Sequence, residues 1–233
     1  MSHGPIKARP FDFPYDSKLD PTRLALLVID LQIDFVSPES YLAKRGYDTA
    51  PVRAILPTVR AVIDAVRRVG GLVVYTRQGY RADLADMTPF ERWRRKRGGL
   101  EGTRFLVRGS PGFEIAPELP VLPEDVIVDK TANGAFTYTD LEQVLRVRHI
   151  EHLLFTGCTT DVCVHSTLRE AHDRNFQCLL IEDACASGDA YAHAAAVHMV
   201  TVEDGVFGAV ATAADVVAGL SRIAARGRNI AQP

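Results

Sequence analysis

Several short apolar runs in this chain show no polar alternation, and that constrains its fold more than any other feature. Leu24-Ala-Leu-Leu-Val-Ile29 is apolar at every position, and the runs at 71–76, 126–129, 152–157 and 178–182 are nearly so. A strand without alternation is buried on both faces, so it belongs to a parallel sheet covered by helices on either side. A further run at 199–202 reads as a sixth strand. Segments near 51–69, 139–148, 161–174, 188–197 and 213–225 carry apolar residues at helical spacing between or after these strands. Right-handed crossovers then predict a three-layer αβα sandwich around a six-stranded, mainly parallel, doubly wound sheet. One domain over 22–226 is expected, with a polar, proline-interrupted arm at 1–21 and a tail at 227–233. The stretch 78–125, rich in Arg, Gly and Pro, is too long for a plain connection and reads as an active-site insertion.

With 233 residues, 47% of them hydrophobic, the chain can bury one substantial core. A formal net charge of −2 removes the electrostatic case for nucleic acid, which needs a basic face. The exception is Arg92-Trp93-Arg94-Arg95-Lys96-Arg97, which reads as a solvated, mobile segment, with a lid or subunit contact as the alternative. No apolar stretch approaches the ~20 residues that span a bilayer, and the N-terminus lacks a signal-peptide core, so the expectation is a cytoplasmic protein with no membrane partner. Cys158, Cys163, Cys178 and Cys185 show no disulfide-scaffold spacing and are expected as thiols, all but Cys163 as small buried residues.

Three strands deliver chemically active residues to their carboxyl ends, the edge of an open parallel sheet where ligands bind. The first ends at Asp30 and the third, Val126-Ile-Val-Asp129, at Lys130. The fourth breaks at Gly157 and leads into a helix capped by Thr160 or Asp161, which puts Cys163 in its first turn. Unpaired N–H groups and the dipole there are expected to lower the thiol pKa. Singly, each residue reads as a cap, a surface charge or a core residue. Together they supply a nucleophile, a base for its proton and a cation to hold the charges.

The motifs Asp30-x-Gln32-x-Asp34-Phe35, strand-end Lys130 and Gly157-x-Thr159-Thr160-Asp161-Val162-Cys163-Val164 resemble the isochorismatase-like cysteine hydrolase superfamily over roughly Leu24 to Leu220. Gly46-Tyr47-Asp48, Tyr75 to Asp86, Arg92-Trp93-Arg94, Glu182-Asp183 and Gly205-Val206-Phe207-Gly208 are similar to its biuret and triuret branch. The resemblance implies Asp30, Lys130 and Cys163 as the catalytic set, with the backbone N–H groups of Thr159 and Cys163 as an oxyanion hole. It also implies a cis peptide at Cys158–Thr159, apolar pocket walls from Phe35 and Phe136, and a homo-oligomer, expected as a tetramer. Cys158 stands where relatives carry an aliphatic residue of similar bulk.

Asn133 and Glu203 occupy positions where biuret hydrolases tend to carry a basic residue and a glutamine, so both are expected at the substrate. A carboxylate at Glu203 would suit the terminal NH₂ donors of a ureide. No metal and no other cofactor is expected: 36–77 contains no histidine, and the seven histidines lack metal-binding spacing. The expected activity is hydrolysis of a terminal C–N bond of a small linear ureide, triuret or biuret, through an acyl-thioester on Cys163. A ureidoacrylate or N-carbamoyl amidohydrolase is the nearest alternative, and a non-catalytic binding module is the alternative from another class.

Overall fold

The computed structural model describes residues 5–230, so the ends of the expected arm and tail, 1–4 and 231–233, lie outside the described residues. The strands are β1 (Leu24–Ile29), β2 (Leu72–Gln78), β3 (Val126–Lys130), β4 (His152–Cys158), β5 (Gln177–Ala186) and β6 (Ala209–Ala211). They form one sheet in the order β3-β2-β1-β4-β5-β6, every neighbouring pair parallel. The helices are α1 (Ile33–Val36), α2 (Tyr41–Lys44), α3 (Ala50–Ala54), α4 (Leu56–Arg68), α5 (Pro89–Arg97), α6 (Leu141–Val147), α7 (His165–Asp173), α8 (Ala190–Gly205) and α9 (Ala213–Ile230).

The apolar runs do what their lack of alternation requires. In β1, Leu24, Leu26 and Val28 enter one core with Val59, Ile63 and Val66 of α4 and Val216 and Leu220 of α9. Ala25, Leu27 and Ile29 enter a second core with Leu141 and Leu145 of α6, Leu168 of α7 and Val197 and Val200 of α8. Successive side chains point to opposite faces, so only an uninterrupted apolar strand can serve both layers. Strand order reverses between β1 and β4, and in such a sheet the crevice at that point is the ligand site.

Two expectations are corrected. Residues 199–202 are not a strand but the end of α8, because Ala196, Val197 and Val200 form one buried helical stripe; the sixth strand is Ala209–Ala211. The basic run is not a mobile segment but the ordered helix α5. Thr88 caps it, its hydroxyl oxygen accepting from Glu91 N at 3.2 Å, and Glu91 pairs with Arg94 at 2.7 Å and Arg95 at 3.2 Å. Arg95 is buried over the Tyr80 ring and donates to Phe105 O at 2.9 Å. At the far edge the arm pairs with β6 through Arg9 and Val210, and the Arg9 guanidinium grips Glu182 at 2.6 and 2.7 Å. That covers an edge strand otherwise open to pairing.

Candidate active site

At the end of β1 the chain turns sharply, with Asp30 in the left-handed region (φ 52°), a conformation Asp tolerates better than most residues. The turn drops its side chain under the sheet edge. Thr76, from β2, donates its hydroxyl to Asp30 Oδ1 at 2.6 Å, and Lys130, from β3, places Nζ 2.8 Å from Oδ2. Both charged side chains are completely buried. Lys130 is fully satisfied: it also donates to Gln78 Oε1 (2.8 Å), Asn133 O (2.9 Å) and Ala132 O (3.1 Å). Gln78 is fixed in turn, its Nε2 donating to Thr131 O at 3.0 Å and its backbone N to Gln32 Oε1 at 2.7 Å. Burial alone would discharge the lysine, but the charges of Asp30 and Cys163 and their hydrogen bonds reverse this and hold its pKa above the ordinary value.

Cys163 arrives from β4. Gly157 (φ 120°) is required there, because a Cβ would lie 2.0 Å from Ile29 O, where β4 passes the end of β1. The Cys158–Thr159 peptide is cis, as the resemblance implies. A single π-type turn, Thr160–Val164, follows, in which Thr159 O accepts from Val162 N (3.1 Å) and from Val164 N (3.2 Å). Cys163 therefore sits in that turn, ahead of α7. Its thiol is buried beside Asp30 and Lys130, close enough to feel both charges.

The expected depression of the thiol pKa is overturned. Burial pushes the Cys163 thiol up to about 12; Lys130 pulls it down, the Asp30 charge pushes it up, and burial wins. The resting group is a thiol, and the nearby Asp30 carboxylate has one oxygen, Oδ2, that is not committed to Thr76. Apart from the ion pair with Lys130, that oxygen accepts no aligned hydrogen bond.

Above this cluster lies a cavity of about 800 Å³ that reaches Cys163. Its lining includes Thr159, Cys163, Phe35 and Asn133, and the 78–125 insertion contributes Tyr80, Asp86, Phe90, Glu91 and Arg94. Two expected site residues are elsewhere. Phe136 packs in the core against Phe176 (5.9 Å between centroids) under Arg174, because Ala135 N and Phe136 N are tied to Thr167 and Glu170 of α7. Glu203 is exposed and left-handed (φ 50°) at the kinked end of α8; the beginning of that helix lines the cavity and Glu203 does not. Thr76, Gln78, Tyr41 and Arg45 were not anticipated. Gln78 ends β2 as Lys130 ends β3, so the strand-end logic could have found it.

Among the described residues, no group of three His, Cys, Asp or Glu side chains converges as a metal site. Cys158, Cys178 and Cys185 are buried free thiols. His165, also buried, accepts from Arg169 Nε at 3.1 Å and faces the Phe207 ring edge-on, outside the cavity.

A doubly wound α/β sheet with a carboxylate, an ammonium and a thiol in contact at its switch point defines a protein of the thiol-hydrolase kind. Residues 24–215 match the isochorismatase domain, and the chain belongs to that family; it is an isochorismatase-family cysteine hydrolase. It is similar to a cysteine hydrolase from Pseudomonas syringae pv. phaseolicola 1448A, with a TM-score of 0.76 and 26% identity over 88% of this chain and 95% of that one. It is also similar to N-carbamoylsarcosine amidase from Thermoplasma acidophilum (TM-score 0.66, 25% identity, 82% and 96% covered). Nicotinamidase from Bacillus subtilis gives a TM-score of 0.66 and 27% identity over 81% of this chain and 99% of that one.

Proposed function

We propose that this chain is a cysteine amidohydrolase that cleaves the terminal C–N bond of a small linear ureide, triuret and biuret being the substrates to which its motifs point. The observation that carries the reading is the buried contact of Asp30, Lys130 and Cys163 beneath a cavity that reaches the sulfur. Amidase neighbours support the class of bond.

In the proposed cycle Asp30 Oδ2 takes the Cys163 proton as the sulfur bonds to the terminal carbonyl carbon. A thiol of pKa about 12 cannot ionise by itself at neutral pH, so proton transfer and attack are coupled. The backbone N–H groups of Thr159 and Cys163 receive the oxyanion. Asp30 returns the proton to the leaving nitrogen, the C–N bond breaks and ammonia departs. Water then attacks the thioester, Asp30 accepts its proton, and the C–S bond breaks to restore the thiol. Lys130 stabilises carboxylate and thiolate throughout. Phe35 and Asn133 are the proposed substrate contacts. Glu203 and Phe136 have no place in this reading, since neither lines the cavity.

A screen for ammonia release over biuret, triuret, ureidoacrylate, N-carbamoylsarcosine and nicotinamide tests the proposal. Turnover of a ureide, with a first-turnover burst of one ammonia per site, is expected. Turnover of nicotinamide alone would overturn the ureide, and no turnover of any of the five would overturn the amidohydrolase.

A further inference from the structure

The helix that follows the nucleophile also holds the loop that encloses its cation. Lys130 Nζ donates to the carbonyls of Ala132 (3.1 Å) and Asn133 (2.9 Å), so the turn after β3 closes over the ammonium. Beyond Asn133 that turn is fastened to α7. Ala135 N donates to Thr167 Oγ1 at 3.1 Å and Phe136 N to Glu170 Oε2 at 3.0 Å, and the Thr137 hydroxyl donates to the other carboxylate oxygen. The turn lies so close on Glu170 that a Cβ at Gly134 would come within 2.2 Å of Oε2.

Thr167 has a second bond. It is completely buried, and its hydroxyl donates to Cys163 O at 2.7 Å. Bonding back four residues is common for threonine in a helix, but this hydroxyl also accepts from a different segment. One oxygen atom therefore joins the backbone of Cys163 to the loop that holds Lys130. Glu170, three residues on, shares that face of α7. The sheet offers no such direct link, because β2 and β1 stand between β3, which ends in Lys130, and β4, which leads to Cys163.

We propose that Thr167 and Glu170 are positioning residues that hold the carbonyl cage of Lys130 in register with Cys163, so that the ammonium stays beside the sulfur as negative charge develops there. This rests on the reading of Cys163 as nucleophile and on no particular substrate. Neither side chain lines the cavity, so both act through Lys130 and not through contact with a ligand. Removing the Thr167 hydroxyl leaves Ala135 N buried without an acceptor, and the loop is then drawn towards other partners and takes its two carbonyls from Nζ.

The test is the rate of iodoacetamide alkylation at Cys163, followed by peptide mass spectrometry, in the wild type, Thr167→Val, Thr167→Ser and Glu170→Gln, with Tm measured for each. Lys130 pulls the thiol towards ionisation against burial and the Asp30 charge, so a loosened cage means less thiolate. At pH 9 the rate is expected to fall about tenfold in Thr167→Val and about threefold in Glu170→Gln, which keeps one acceptor, while Thr167→Ser keeps the hydroxyl and the wild-type rate. A residue that only stabilised the helix would lower Tm and leave the rate unchanged, or raise it by exposing the sulfur. An unchanged or faster rate in either Thr167→Val or Glu170→Gln would overturn the proposal, as would a Thr167→Ser variant as slow as Thr167→Val. If Thr167→Val does not fold, Glu170→Gln, at a half-buried position, decides the matter. Alkylation needs no turnover, so a fall in its rate in a chain that hydrolyses no ureide would overturn the amidohydrolase and leave the positioning role standing.

Discussion

At the carboxyl end of the sheet an ammonium and a carboxylate lie side by side, fully enclosed, with Lys130 donating to three acceptors and ion-paired with Asp30, which Thr76 holds as well. At the amino end His152, the first residue of β4, is 2% exposed and packs edge-on against Phe13 of the arm at 5.8 Å, and neither ring nitrogen has a partner. Burial there pushes the imidazole pKa down, against the pull of Glu151 and Asp16, so the ring is held neutral. The two ends share one sheet and similar enclosure. What separates them is convergence: three strand ends and a loop supply donors and acceptors at one end, whereas a single apolar arm covers the other. A buried group keeps its charge only where partners are already positioned, and otherwise gives it up.

The sharpest way to break this comparison is at the sulfur. Cys163→Ser is expected to fold and bind ligand but to lose nearly all turnover, because a serine hydroxyl ionises even less readily than the buried thiol. Retention of more than about a tenth of wild-type kcat would remove Cys163 from the nucleophile role.

Lys130→Met strikes the network itself. It leaves Asp30 as an uncompensated buried charge, and a loss of about 3–5 kcal/mol in denaturant unfolding is expected. Adding Asp30→Asn should recover much of that loss, since no unpaired charge then remains. A single variant as stable as the wild type would show that the pair contributes nothing to the fold. Because the Lys130 pKa is raised in the folded state, its contribution is complete at neutral pH and is lost only as pH rises through the folded value, above 10.5.

The thiol itself gives a smaller, graded effect. With a pKa of about 12, its alkylation by iodoacetamide should be slow at pH 7 and still rising at pH 10. A plateau below pH 8 would mean a preformed thiolate and restore the expectation read from helix position alone.

At the amino end the sign is opposite. The folded pKa of His152 is below 6.5, so its contribution to stability is complete above 6.5 and is lost as pH falls beneath that value. A drop in Tm between pH 7.5 and 5.5 is expected, and His152→Phe should reduce it; an identical drop in the variant would assign the acid sensitivity elsewhere. The smallest effect belongs to Glu203→Gln, expected to alter kcat/KM for any ureide less than twofold. Larger changes would mean that the end of α8 communicates with the cavity.

Much of the fold was legible because it is local in origin. An apolar strand with no alternation can only be sandwiched, and a polar residue at its carboxyl end can only emerge at the crevice, so Asp30, Lys130 and Cys163 could be placed without knowing a single contact. Residues 199–202 read as a strand because β-prone residues continue a helix whose buried stripe only the packed sheet defines. The resemblance implies a pocket wall at Phe136, but two hydrogen bonds to α7 turn its segment into the core.

The tertiary structure alone decided three things. It carried Glu203 away from the site, because α8 begins at the cavity and Glu203 stands, exposed, beyond its last regular turn. It set the state of the Cys163 proton, because the contest between a helix entrance and desolvation depends on how completely neighbouring strands enclose the sulfur. It brought Arg45 to the cavity wall with no ion-pair partner among the described residues, since ion pairing is a matter of distance between segments and no spacing along a chain encodes it. Sequence by itself determined which residues reach the edge of the sheet; packing determined what each finds there, because burial and charge are properties of the surroundings and not of the residue.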